Sequence, residues 1–200
     1  MSAPIWIGAD PGGKGRFGIA LLIDLDPPLT AVVSCVDEAI AFVLAHIGKQ
    51  PAGVGVDAPL WWTSGPSGDR HADQWLRKRY RLSGGEVQAS NSLRGAALTQ
   101  GVMFVHRLRE TYPAVRVTES HPKALLKAIA DGRWATFAAR FNVNASPADE
   151  HTRDAIVAAV AARETFDGRW TANLANSRLT SEPDPLTYWL APIHYGWPEE

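Results

Sequence analysis

Four acids in this chain fall where a strand or a helix would hold them still: Asp10, Asp57, Glu119 and Asp154. Asp10 closes PIWIGAD, Asp57 closes GVGVD, Glu119 closes VRVTE, and Asp154 opens DAIVAAVAA. The first two share a design, a glycine two residues before the acid and a proline soon after it, and Pro122 follows Glu119 in the same way. A glycine on the acid's own strand face leaves room for something to come close. Carboxylates gathered at short range repel one another, and alone they would keep a proton or strain the fold. A hard divalent cation removes that cost. Mg²⁺ or Mn²⁺ takes a few carboxylates together with water and phosphate oxygens. Two such ions about 4 Å apart stabilise both the attacking and the leaving oxygen of a phosphodiester displacement. Taken singly, each acid also suits a plainer role as a turn residue or a helix cap.

The elements around these acids set whether they can meet. Residues 5–10 alternate as a strand, 17–23 form a continuous apolar run, and 30–35 read as a third strand after the turn at Asp26-Pro27-Pro28. Together they predict an antiparallel meander. Helices are predicted at about 35–47, 96–110, 122–130 and 134–141, with strands at 52–60 and 115–119. A last helix is predicted with Ser146 as N-cap, Pro147 at N1 and Asp149 at N3. Strands joined through helical crossovers run parallel, so the acid-bearing ends of the first, fourth and fifth strands point the same way. Adjacent ends lie about 4.8 Å apart. On the last helix, Glu150, His151 and Asp154 share one face, and the alanines after Asp154 let that helix approach the sheet. The expected architecture is a mixed five-stranded sheet, the meander plus two parallel strands, flanked by helices in a single α/β domain over 1–200. An irregular insertion at about 61–92 sits beside the fourth strand, and a tail at about 166–200 wraps the surface.

Lys14 and Arg16 occupy the Gly-rich turn after Asp10, where phosphate contact is a natural role, although the turn lacks the GxxxxGK[ST] pattern of a P-loop. The segment 69–94, in and just after the insertion, carries Arg70, Arg77, Lys78, Arg79, Arg81 and Arg94, with Trp61, Trp62, Trp75 and Tyr80 among them or close by. Cations for phosphates and rings for stacking suit a single-stranded nucleic acid; a solvated helix face over core tryptophans explains the same pattern. Twenty basic against twenty-one acidic residues leave a net charge of −1, so no global field marks a nucleic-acid or membrane partner. The single cysteine, Cys35, excludes an internal disulfide and a multi-cysteine zinc site. No signal sequence or membrane-length apolar run is evident, and a cytoplasmic location is the expectation.

The motifs IGADPGGKGRFGIA, GVDAPLWW, Arg70 with Asp73 and Arg77, TESHPKALL and DEHTRDAIVAAVAA, spanning Ile5 to Ala162, resemble the RNase H-like superfamily. More closely, the chain resembles the DUF429 family of predicted nucleases. Its His151-x-x-Asp154-Ala155 spacing is similar to the last motif of RuvC-type resolvases. The resemblance implies a metal-dependent nuclease acting on RNA or DNA through two Mg²⁺ or Mn²⁺ ions. Asp10, Asp57 and Asp154 are implied as metal-binding catalytic residues, with Glu119 added from the narrower family's own motif. His151 and Glu150 stand as accessory groups, and Lys14, Arg16, Arg70 and Arg77 as substrate contacts. Two other readings stay open: a non-catalytic module binding nucleic acid or protein, and an actin- or sugar-kinase-like nucleotide binder, which ordinarily needs two such domains.

Overall fold

Ile5–Asp10 (β1) is apolar on both faces, and its first five residues are buried. It lies inside the sheet of a computed structural model that describes residues 3–24, 26–90, 95–184, 189 and 191–199. β1 pairs antiparallel with Phe17–Ile23 (β2), and β2 with Leu29–Val33 (β3), giving the meander. On its other side β1 runs parallel to Gly53–Val56 (β4), and β4 parallel to Val117–Glu119 (β5). Crossovers supply the parallel pairings: Val36–His46 (α1) before β4, then His71–Tyr80 (α2) and Gly95–Thr111 (α3) before β5. Pro122–Ala130 (α4), Trp134–Arg140 (α5) and Glu150–Phe166 (α6) follow.

The tail departs from expectation. Ala172–Asn173 (β6) pairs with Gly196–Trp197 (β8) in a small second sheet, and Ile193–His194 (β7) adds to β5 in parallel. Among the described residues the main sheet therefore has six strands, in the order β3-β2-β1-β4-β5-β7, not five. Its first five follow the expected arrangement of an antiparallel meander plus two parallel strands. Nor is the tail only a surface wrap. Trp189, Tyr195 and Trp197 are all under 4% exposed, and burying rings of that size is what holds the segment to the sheet edge. The indole of Trp189 donates to Leu60 O at 2.6 Å and that of Trp61 to Glu182 at 2.8 Å, which ties the tail to the start of the 61–92 insertion. Residues 91 and 92 of that insertion, and Arg94 after it, lie outside the described residues.

Helices cover both faces of the sheet. A Cβ on Gly8, Gly18 or Gly55 would overlap the α6 backbone carbonyls of Ala155, His151 and Ala158, so the three glycines permit a contact that no other residue allows. On the opposite face α3 abuts Val56 and Ala58 through Gly101. α6 starts later than predicted. Its N-cap is Asp149, whose carboxylate accepts from Thr152 N at 2.8 Å, and Ser146 lies before the helix. A charged acceptor at this position binds the free N–H groups more strongly than a hydroxyl does. No helix among the described residues is long and apolar enough to cross a membrane.

Candidate functional site

Ala9 pairs with Val56, and Asp57 N donates to Ala9 O at 2.8 Å one step beyond. Asp10 and Asp57 thus stand level at the ends of adjacent parallel strands. Each follows its glycine by two residues, so both carboxylates belong to the face on which α6 packs. α6 brings Asp154, 3% exposed, to the same place. The sheet register and the glycine contacts together set this meeting of three acids.

Electrostatics record their proximity. Burial and then the charge of Asp154 push Asp10 up to about 8. Burial, then Asp10 and Asp154, hold Asp57 well above the ordinary carboxylate range. Burial also raises Asp154, against the pull of Arg153 and Lys123. Two of the acids have basic partners. His151 Nδ1 lies 2.7 Å from Asp10 Oδ2, and Arg153 binds Asp154 Oδ1 at 2.8 Å. Among the described residues no three His, Cys, Asp or Glu side chains stand together at metal-ligand distance. The acids share a site without forming a finished cage.

Glu119 is placed differently. Its partner across the sheet is Val56, not Asp57, so it belongs to the opposite face. There Arg70 grips it with two bonds of 2.6 and 2.8 Å, and Leu60 N donates to it at 2.9 Å. Arg70 also forks onto Asp73 at 2.8 and 3.1 Å and stacks over the Trp61 ring. It is 1% exposed, and with Glu119 and Asp73 it forms part of the wall of the crevice that Asp10 and Asp57 also line. Arg77 is likewise engaged, with Asp69 at 2.6 Å and Val87 O at 2.9 Å. Glu119, expected as a metal ligand, and Arg70 and Arg77, expected as substrate contacts, are thus engaged in ion pairs, that of Arg70 with Glu119 being a clamp that fixes the insertion to β5. Glu119 and Arg70 also line the crevice at the acids, and the charge of Glu119 helps to raise Asp57.

The remaining candidates lie near the acids. Lys14 and Arg16 are exposed in the β1–β2 turn, which Arg16 N closes onto Gly13 O at 2.9 Å. Glu150 is exposed and pairs loosely with Lys123 at 3.8 Å. A crevice of about 200 Å³ opens here, lined by Asp10, Asp57, Ser120, His121 and Lys123 among others. Burial lowers His121 to about 4, so its ring is neutral at pH 7. Two cations matter that sequence reasoning did not single out, Lys123 and Arg153. Both lie inside quoted motifs, and a basic residue next to or just after an acid was the available signal. A larger groove, about 610 Å³, lies at the other end of the sheet beside Trp6 and Trp170, away from the acids. Its Arg163 and Arg169 are both paired with Glu164.

No protein-family model and no curated protein matches the chain by sequence. Among solved structures it is similar to that of Thermus thermophilus RuvC, at 13% identity and a TM-score of 0.41, over 82% of this chain and 95% of that one.

Proposed function

We propose that this chain is a divalent-metal-dependent nuclease of the DUF429 type, hydrolysing phosphodiester bonds of RNA or DNA in the cytoplasm. Asp10, Asp57 and Asp154 are its metal ligands, and Mg²⁺ or Mn²⁺ its cofactor. One observation carries the reading: three carboxylates, Asp154 buried and Asp10 and Asp57 half-buried, converge on one sheet face, each raised by burial and by the charge of a neighbouring acid. A protein keeps such repulsion, only partly offset by Arg153 and Lys123, where function uses it. The donor set fits the ion, since it is oxygen-rich, negative and mounted on rigid strands and a rigid helix. When bound, such ions activate water and stabilise the charge that builds on a phosphate. Cation binding competes with Arg153 for Asp154 Oδ1, and His151 fixes the orientation of Asp10. Lys14 and Arg16, at the same end of the sheet, are placed to meet backbone phosphates.

The test is hydrolysis of single-stranded and structured RNA and DNA in Mn²⁺ by wild type and Asp10→Asn. Loss of at least about 100-fold in the mutant is the expected result. Equal rates from a folded mutant would sink the reading. One observation favours the non-catalytic module instead, namely that the acids are not drawn to ligand distance. That alternative requires binding of nucleic acid or protein that is independent of cations and without turnover.

A further inference from the structure

Beyond Glu119 the chain turns directly into α4, and this turn carries an incomplete set of polar groups. Ser120 N donates to Val56 O at 2.8 Å, which extends the β4–β5 register and sets Ser120 beside Asp57 on the α6 face. Ser120 is 3% exposed, and its Oγ has no hydrogen-bond partner. Buried polar groups are normally satisfied, so an orphan beside a crevice calls for a partner from outside the chain. α4 itself begins without a side-chain cap. Pro122 has no N–H to offer, which leaves the backbone N–H groups of Lys123 and Ala124 as the first donors of a nine-residue helix. A lysine in a helix's first turn also works against the helix dipole, where stability alone favours an acid. Its ammonium acts on Asp10, Asp57 and Asp154 alike, and its ion pair with Glu150 is loose at 3.8 Å. Ser120, His121 and Lys123 all line the crevice at the acids.

We infer that the start of α4 is a phosphate seat, in which the Lys123 ammonium, the Ser120 hydroxyl and the first free N–H groups of the helix hold a substrate phosphate against the three acids. Helix N-termini with a lysine suit phosphate because donors and positive charge point the same way. The seat rests on the nuclease reading for its substrate, the phosphate being that of the polynucleotide. It also explains why a cluster of acids admits an anion at all. Lys123 supplies a positive charge that offsets the repulsion between the acids and the phosphate.

The test uses the full chain and inorganic phosphate as probe, followed by ³¹P NMR and by competition with cleavage of a single-stranded oligonucleotide in Mn²⁺. Wild type binds phosphate and is inhibited competitively. Lys123→Met, which keeps the aliphatic stem, weakens phosphate roughly tenfold and raises KM for the oligonucleotide more than it lowers kcat. Ser120→Ala weakens phosphate severalfold while leaving thermal stability unchanged or higher, because it deletes an unsatisfied group. Phosphate bound equally by wild type and both variants overturns the seat, as does an active wild type that phosphate does not inhibit. Lys123-dependent phosphate binding by a chain that takes no Mn²⁺ and cleaves nothing keeps the seat and removes the nuclease reading.

Discussion

Asp57 stands half-buried beside two other acids, and burial with the charges of Asp10 and Asp154 holds it well above the ordinary carboxylate range. Replacing it by asparagine removes that repulsion, so Asp57→Asn is predicted to stabilise the cation-free fold by about 0.5–2 kcal/mol, read from the urea midpoint. A residue kept at a cost to stability is being kept for its charge. Glu119 is the opposite case. Glu119→Ala leaves the Arg70 guanidinium buried with half its partners, and a loss of roughly 3–5 kcal/mol is expected by the same measurement. A loss under about 1 kcal/mol would show that the clamp does not hold the insertion. Asp10 and Asp57 were readable as a pair because each repeats the same glycine-spaced strand ending. Glu119 looked like a third copy and is not. The face of a strand depends on register, and a shift of one residue moves an acid from one side of the sheet to the other. Nothing local in VRVTE records whether Glu119 or Ser120 is level with Asp57.

At the scale of elements, the approach of α6 to the sheet decides whether Asp154 reaches the strand acids. Gly8→Ala or Gly55→Ala drives a methyl group into the α6 backbone and should cost at least about 1–3 kcal/mol. If α6 is displaced without unfolding, cation affinity falls as well. An alanine variant with wild-type stability, measured by thermal unfolding, would contradict this packing. The contact was partly legible, since glycines on strands and a run of alanines on a helix are complementary patterns. The sixth strand was not. β7 is two residues long, too short for any period, and only the tail's tryptophans and tyrosine hinted at burial. The start of α6 was misplaced by three residues because SPADE offers two caps, Ser146 and Asp149, and the charged one prevails.

For the molecule as a whole, the acids couple folding to pH and to cations. Asp10 titrates at about 8 in the folded chain and near the ordinary carboxylate value of about 4 when unfolded. Between these values the folded form keeps a proton that the unfolded form releases. Cation-free stability therefore falls as pH rises from about 4 to 8, by at most about 1.4 kcal/mol per pH unit from this group. Mn²⁺ requires the ionised carboxylates, so its stabilising effect is greater at about pH 8 than at about pH 6. Urea melts at both pH values, with and without Mn²⁺, check the sign; equal effects at the two would contradict it. The central claim, that separate strands and a helix build one cation site, is tested most directly by calorimetric titration of Mn²⁺ into wild type and Asp57→Asn at about pH 8. The account predicts saturable binding in wild type, weakened at least tenfold in the mutant. Binding of equal strength in both, or none in a wild type that still cleaves nucleic acid, would contradict it.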